Sequence, residues 1–332
     1  MPHPLAARLA GTGSYVPPRV VTNAVFADTL DTSDEWITTR TGIRERRYAG
    51  PGETTSSMAI LAAKEALHAA GQSADDVDLI VVGTVTPDMM CPSVAGLVQA
   101  GLGCRPIPAF DVTAACSGFL YAVGVGDSFV RSGASKTALV IGADTITRVA
   151  DYTDRNTCIL FGDGAGAVVL TADRTAGPSG RVWKVRLFCD GTRQELVQVP
   201  STVTPNPPPG SGLPSLRFLR MSGREVFKFA VQKLSDMIRI GRQDCQEFGL
   251  PDLSLVVPHQ VNRRIIDAAI EGTGFPAERV MMNLEKYGNT SAASVPIAFD
   301  EAVREGRCQP GDSVLLVAFG GGLTWSSALV TV

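Results

Sequence analysis

Four short stretches of this chain carry residue types that could do acyl chemistry. In "DVTAACSGFLYAV" (Asp111–Val123), Cys116 stands between an alternating, β-prone run and a run of small and apolar residues that reads as a helix start. With the turn at Ala114–Ser117, the thiol sits at a helix N-terminus, where unpaired N–H groups and the helix dipole ease thiolate formation. Free cysteine is also among the most buried residue types, so a structural cysteine is the competing reading. His259 follows the apolar strand "LSLVV" in "VPHQVNRRII". An imidazole there costs free energy unless it is hydrogen-bonded, and a satisfied structural histidine is the alternative. The other two histidines are His3, in the first residues of the chain, and His68, on the expected exposed face of "LAAKEALHAAG". Asn289, in "KYGNTSAASVPIAF", is placed either to cap the helix that follows or to aim an amide N–H at a developing oxyanion. The glycines of "AFGGGLTW" (Ala318–Trp325) expose backbone N–H groups and allow close approach, as would a plain glycine turn.

Several other chemistries are excluded. The glycines of "FGDGAGAVVL" fall at 162, 164 and 166 and precede a strand, so they do not form the G-x-G-x-x-G of a dinucleotide site. Neither a G-x-S-x-G elbow nor a P-loop is present. Thirty Lys and Arg against 33 Asp and Glu give a formal net charge of -3, which removes the basic field expected of a nucleic-acid binder. The seven cysteines form no CxxC pair and are odd in number, so neither a disulfide framework nor a metal site is expected. The start "MPHPLAARLAGTGSYVPP" lacks the features of a signal peptide, and no stretch reaches the length of a membrane span; a cytoplasmic protein without membrane insertion is expected.

The elements that must position these residues read as α/β: buried β-branched runs alternate with helical periodicity. The order then repeats. "DDVDLIVVGTVTPD" (Asp75–Asp88) resembles "PDLSLVVPHQVNR" (Pro251–Arg263), and "KTALVIGADTIT" (Lys136–Thr147) resembles "DSVLLVAFGGGLT" (Asp312–Thr324). The step along the chain from Leu79 to Leu255 equals that from Leu139 to Leu315, so the two halves keep register. This predicts two copies of one α/β unit, residues 1–174 with the cysteine and 175–332 with the histidine and asparagine, joined near Ala172–Gly180. Cys116 then corresponds to Ala292 and Gly83 to His259. Both reactive residues fall at the carboxyl ends of strands, where ligands of such sheets bind. Gln194–Ser215, rich in Pro, Ser and Gly, reads as a surface loop, either disordered or a lid.

Taken together and in order, "TSDEWITTRTGIRERR", "DVTAACSGFLYAV", "TDRNTCILFGDGAGAVVL", "VPHQVNRRII", "YGNTSAASVPIA" and "FGGGLTW" resemble the β-ketoacyl-acyl-carrier-protein synthase III enzymes of the thiolase superfamily over nearly the whole chain. The resemblance implies a duplicated five-layer αβαβα fold and a homodimer. It implies that Cys116 takes an acyl group from coenzyme A, and that His259 and Asn289 hold the malonyl thioester carbonyl during decarboxylation. It also implies that the N–H groups of Cys116 and Gly321 receive the tetrahedral oxyanion. Thr32, Trp36, Arg40, Arg155, Gly223 and Asn262 would contact coenzyme A, with Phe227 and Phe319 lining the site. Coenzyme A thioesters and a malonyl-acyl carrier protein are then substrates, and no permanently bound cofactor is expected. Two departures stand out. Where many relatives carry a phenylalanine reaching across the dimer into the acyl pocket, this chain has Cys91, which predicts a roomier pocket unless Met89 and Met90 refill it. Lys228, Arg263 and Arg264 remain for carrier docking, but Glu271 and Gly272 replace further lysines of relatives, which predicts weaker steering of an acidic carrier. The alternative is an enzyme of the same kind in a specialised pathway, condensing an unusual primer or only transferring an acyl group.

Overall fold

The structure is a computed structural model that describes residues 5–173, 177, 179–199 and 218–332. His3, most of the Pro-rich segment and the expected junction at 174/175 lie outside these described residues. In chain order the strands are β1 Ala6–Tyr15, β2 Val20–Thr22, β3 Glu45–Arg47, β4 Leu79–Gly83, β5 Ala109–Val112, β6 Thr137–Asp144, β7 Gly164–Asp173, β8 Val182–Cys189, β9 Val197–Gln198, β10 Arg220–Met221, β11 Leu255–Pro258, β12 Ser313–Gly320 and β13 Thr324–Thr331. The helices are α1 Ala24–Ala27, α2 Asp34–Thr41, α3 Thr55–Ala70, α4 Val94–Leu102, α5 Gly118–Arg131, α6 Gly223–Glu247, α7 Arg263–Thr273, α8 Leu284–Tyr287 and α9 Ser294–Arg304. Among the described residues, no helix is long and apolar enough to cross a membrane.

Two mixed sheets dominate, in strand orders β1-β7-β6-β4-β5 and β11-β12-β13-β8. β4, β6, β11 and most of β12 are buried on both faces, which is why they read as unbroken apolar runs. α5 and α9 lie between the sheets, sharing one core with residues of both, such as Leu79, Val140, Val257 and Leu316. α3 and α4 cover the outer face of the first sheet, and α6 and α7 that of the second. This is the five-layer αβαβα arrangement, and the chain has the thiolase-like fold. The offset seen in the sequence recurs in the element bounds: β6 (137–144) maps onto β12 (313–320), and the 3₁₀ turn Ala115–Ser117 onto the turn Ser291–Ala293.

Each of those turns opens a central helix, and the chain needs an unusual backbone to enter it. Ala115 has φ 48° and Ser291 φ 53°; they are the left-handed non-glycine residues among the described ones, and they occupy equivalent places at the same offset. Gly83 ends β4 directly beneath the start of α5, and a Cβ there would lie 2.3 Å from the Gly118 carbonyl carbon. The equivalent position after β11 is His259, which carries a side chain. The Pro-rich segment begins differently from the loop expected: Gln194–Leu196 belong to a 3₁₀ turn, and Val197–Gln198 pair with β10.

Candidate active site

Cys116, His259 and Asn289 come from three separate elements and line one cavity, with Val85, Ile146, Phe161, Phe229, Phe319 and Leu323 supplying apolar walls. Cys116 sits in the turn between β5 and α5, as the sequence predicts. Its environment corrects the expectation of an easily formed thiolate. The sulfur is part-exposed only toward the cavity, and burial pushes the thiol up to about 12, outweighing the hydrogen bond to Ser291 that favours the anion. Gly320 packs against this turn, where an added Cβ would come within 2.7 Å of the Cys116 nitrogen. A side chain at 320 would therefore cover the Cys116 N–H, and glycine leaves it accessible. Gly321 lines the same cavity.

His259 continues the line of β11 through a hydrogen bond from its N–H to the Val317 carbonyl, 2.7 Å. Its ring is 1% exposed, packs edge-on to Phe319 at 5.4 Å between centroids, and shares a hydrogen bond between Nδ1 and Ser294 Oγ at 2.5 Å. Burial alone lowers its pKa to about 3, so the imidazole is neutral. The Gln260 N–H donates to Ser294 Oγ at 3.4 Å. When that hydroxyl in turn donates to Nδ1, Nε2 carries the ring proton and is the donor.

Asn289 makes the bond expected of a cap. Its Oδ1 accepts the Ser291 N–H at 2.8 Å, in the manner of a cap, and this use of the oxygen turns the amide nitrogen into the remaining group. The backbone is clamped on both sides, with the Asn289 N–H donating to the Leu160 carbonyl at 2.8 Å and its carbonyl accepting from the Gly162 N–H at 3.0 Å. Asn289 is 4% exposed. The cavity thus is lined by a thiol, an uncharged imidazole and an amide.

Met221, Val226 and Val261 line both the cavity and an open surface groove, so the two adjoin. The groove collects Trp36, Arg40, Gly223, Phe227, Lys228, Asn262 and Arg264, together with Asn156 and Arg224, which sequence reading does not single out. Two guanidinium groups stand over the Trp36 ring, Arg40 at 4.8 Å and Arg155 at 5.2 Å from its centroid. Arg155 is also paired with Asp31 at 2.9 Å, and Arg264 stands over the Phe227 ring at 5.8 Å. Asn262 spends both ends of its side chain on structure, capping α7 through the Arg264 N–H and donating to the Arg40 carbonyl. Thr32 and Arg263 do not line the groove; the Thr32 hydroxyl is buried without a partner, and Arg263 faces Asp267 at 3.5 Å. On the other side the cavity shares Val85, Ala115, Val197, Val199 and Gly321 with a second depression bordered by Met90 and Cys189. Cys91 is exposed beside Met90 and lines neither space.

A cysteine, a neutral histidine and an asparagine lining one cavity of a duplicated αβαβα scaffold define a condensing enzyme of the thiolase type. Comparison with known proteins carries this further. The family described as 3-oxoacyl-[acyl-carrier-protein (ACP)] synthase III matches residues 110–191, and its C-terminal counterpart matches residues 245–332. The β-ketoacyl-[acyl-carrier-protein] synthase III of Xanthomonas campestris pv. campestris is 51% identical over 325 residues, 97% of each chain. The crystal structure of 3-oxoacyl-[acyl-carrier-protein] synthase III from Aquifex aeolicus VF5 has a TM-score of 0.89 at 45% identity, covering 98% of this chain and all of that one. The priming β-ketosynthase from the R1128 polyketide biosynthetic pathway also has a TM-score of 0.89, at 36% identity, covering 100% of this chain and 98% of that one. This chain belongs to the 3-oxoacyl-[acyl-carrier-protein] synthase III family.

Proposed function

We propose that this protein catalyses the decarboxylating condensation of an acyl-CoA with malonyl-acyl carrier protein, giving a β-ketoacyl-acyl carrier protein that starts fatty-acid synthesis. The observation that carries this reading is the meeting of Cys116, His259 and Asn289 on one apolar cavity, with the imidazole held neutral. Cys116 accepts the acyl group as a thioester, an exchange between sulfurs that is nearly balanced in energy. His259 Nε2–H and Asn289 Nδ2–H donate to the malonyl thioester carbonyl and hold the enolate charge that develops as CO2 leaves. An uncharged pair suits this oxygen, since a single well-placed donor of this kind is worth about 3 kcal/mol. The carbanion attacks the acyl-Cys116 carbonyl, and the N–H groups of Cys116 and Gly321 receive the tetrahedral oxyanion.

Trp36, Arg40 and Arg155 form the purine and phosphate end of a coenzyme A groove, with Gly223, Phe227 and Asn262 along its length and Thr32 behind α2. Phe319 holds the His259 ring from the side. Lys228, Arg263 and Arg264 give the carrier protein a basic landing at the groove mouth. The chain divides into halves 1–174 and 175–332, and two chains pair over the depression bordered by the exposed Met90. In that dimer Cys91 enters the acyl pocket of the partner subunit and leaves room for primers longer than acetyl. Likeness to a priming ketosynthase of a polyketide pathway favours a second reading, a specialised condensing enzyme with an unusual primer. That reading shares the same chemistry.

The test is intact-protein mass spectrometry after mixing with acyl-CoAs from acetyl to decanoyl, plus branched and benzoyl forms, with Cys116→Ala as control. An adduct absent from the control and discharged by malonyl-acyl carrier protein with CO2 release is the expected result. It also names the primer class, and turnover confined to acetyl-CoA removes the roomy pocket. An adduct that malonyl donors cannot discharge makes the protein an acyl transferase, and no adduct at all returns Cys116 to a structural role.

A further inference from the structure

Beneath Cys116 runs a chain of polar side chains that the condensation just described does not use. Asp144, the last residue of β6, is fully buried. Its Oδ1 accepts the Thr84 hydroxyl at 2.9 Å, the Thr86 hydroxyl at 2.8 Å, and the N–H groups of Val85 and Thr86 at 2.8 and 3.1 Å. Its Oδ2 accepts the Ala292 N–H at 3.0 Å, which brings the neighbouring Ser291 side chain against the same carboxylate, where it favours the ionised form. The Ser291 hydroxyl in turn lies 3.7 Å from Cys116 Sγ, with the thiol as donor. Thiol, hydroxyl and carboxylate are therefore contiguous.

The backbone of the turn does not require this hydroxyl. At the offset that relates the two halves, Ser291 matches Ala115, which holds the same left-handed conformation with a methyl group. Asp144 matches Gly320, which has no side chain. The polar pair is present only where it reaches the sulfur of Cys116.

Charge gives the pair a use. Forming a thiolate while Asp144 stays ionised would place two anions on either side of one hydroxyl in a dry cavity, and burial already drives the thiol and the carboxyl toward their neutral forms. Moving the thiol proton to the carboxylate relocates one buried charge and adds none.

We propose that Ser291 relays the proton of the Cys116 thiol to Asp144 as the acyl thioester arrives, a role that rests on Cys116 being the acyl acceptor. Ser291 takes the proton from Sγ and passes its own to the Asp144 carboxylate. The Sγ–C bond forms as the bond from the acyl carbon to the coenzyme A sulfur breaks. The proton on Asp144 returns through Ser291 to the departing sulfur, which leaves as the free thiol, and the carboxylate is restored. Ser291 touches the reacting sulfur; Asp144 acts through it. Around this chain the end of β4 contributes Thr84 and Thr86, the Ser291–Ala293 turn an N–H, and the residue after β11 the neutral His259.

The test is the pH dependence of first-turnover adduct formation with acetyl-CoA, followed by rapid-quench mass spectrometry. An internal proton transfer leaves the wild-type rate flat across about pH 7 to 9, because no proton is lost to solvent. Ser291→Ala, which keeps a residue type that this backbone carries at Ala115, must lose its proton to solvent, so its rate is slower at neutral pH and climbs about tenfold per pH unit. Decarboxylation of malonyl-acyl carrier protein without primer reads His259 and Asn289 and stays within about twofold of wild type. A flat profile in Ser291→Ala, or equal loss in both half-reactions, overturns the relay. An adduct that persists in Cys116→Ala overturns the assignment on which the relay rests and is distinguishable from both.

Discussion

Ser294→Ala probes how this fold sets the proton on a catalytic imidazole. Ser294 is the first residue of α9, 1% exposed, and its hydroxyl sits between the Gln260 N–H and His259 Nδ1. In the proposed mechanism that hydroxyl donates to Nδ1 and so leaves Nε2 as the donor to the enolate. Removing it orphans a buried ring nitrogen, which costs about 1–2 kcal/mol, and lets the tautomer with the proton on Nδ1 compete. That tautomer presents a lone pair where a donor is needed. The loss falls on the transition state for decarboxylation, so kcat for CO2 release from malonyl-acyl carrier protein drops about 5- to 30-fold with KM little changed. Acylation of Cys116 is unaffected, since His259 has no part in it. The assay is single-turnover CO2 release beside adduct formation by mass spectrometry. Wild-type kcat in Ser294→Ala, or an equal fall in acylation, refutes the tautomer argument.

Three other perturbations read different parts of the structure. Trp36→Ala removes the ring under Arg40 and Arg155 and raises KM for acyl-CoA by about 3- to 30-fold, with kcat for the condensation steady; steady-state kinetics with saturating malonyl donor checks the split. Gly83→Ala drives a methyl group into the Gly118 backbone and yields insoluble or strongly destabilised protein, seen as a lost or lowered thermal transition. His259 is held near 3 in the folded protein against an ordinary value of 6.5, so below pH 6.5 the unfolded chain binds a proton that the folded one refuses. Stability therefore falls as pH drops through that window, by up to about 1.4 kcal/mol per unit from this group, and His259→Gln lacks that component in urea titrations from pH 7 to about pH 5.

Much of the scaffold is legible in the sequence because its signals are local. β4, β6, β11 and β12 announce themselves as apolar runs, and the matched spacing between them foretells the register that the two sheets keep. The turn before α5 falls where the change from alternation to small residues places it. The groove around Trp36 comes from family resemblance, since nothing in the spacing of Trp36, Arg40 and Arg155 brings a distant arginine onto that ring. The state of the thiol is misjudged from sequence for a physical reason: a helix start favours the anion, but an apolar enclosure disfavours it more, and enclosure is a property of the whole fold. Asp144 and Ser294 escape sequence reading altogether. An aspartate ending "LVIGAD" is a buried charge that must be satisfied, yet its donors come from residues 84–86 and 291–292, far apart in sequence. The start of the Pro-rich segment reads by composition as loop, whereas Val197 and Gln198 find a partner strand beyond that segment, in Arg220–Met221.

The crossing of strand ends and turns has a mechanical meaning. Asp144 of the first sheet grips the turn at Ala292, and Gly320 of the second sheet presses on the turn at Cys116, so each sheet holds the other's helix start. The reactive cavity is the clasp between them and belongs to neither. In the proposed mechanism thiolate, enolate and tetrahedral oxyanion all form at that clasp and depend on atoms supplied from both sides. A small slip between the sheets parts the nucleophile from its donors while every strand and helix remains intact. Catalytic output is thus a finer gauge of the fit between the sheets than any measure of secondary structure.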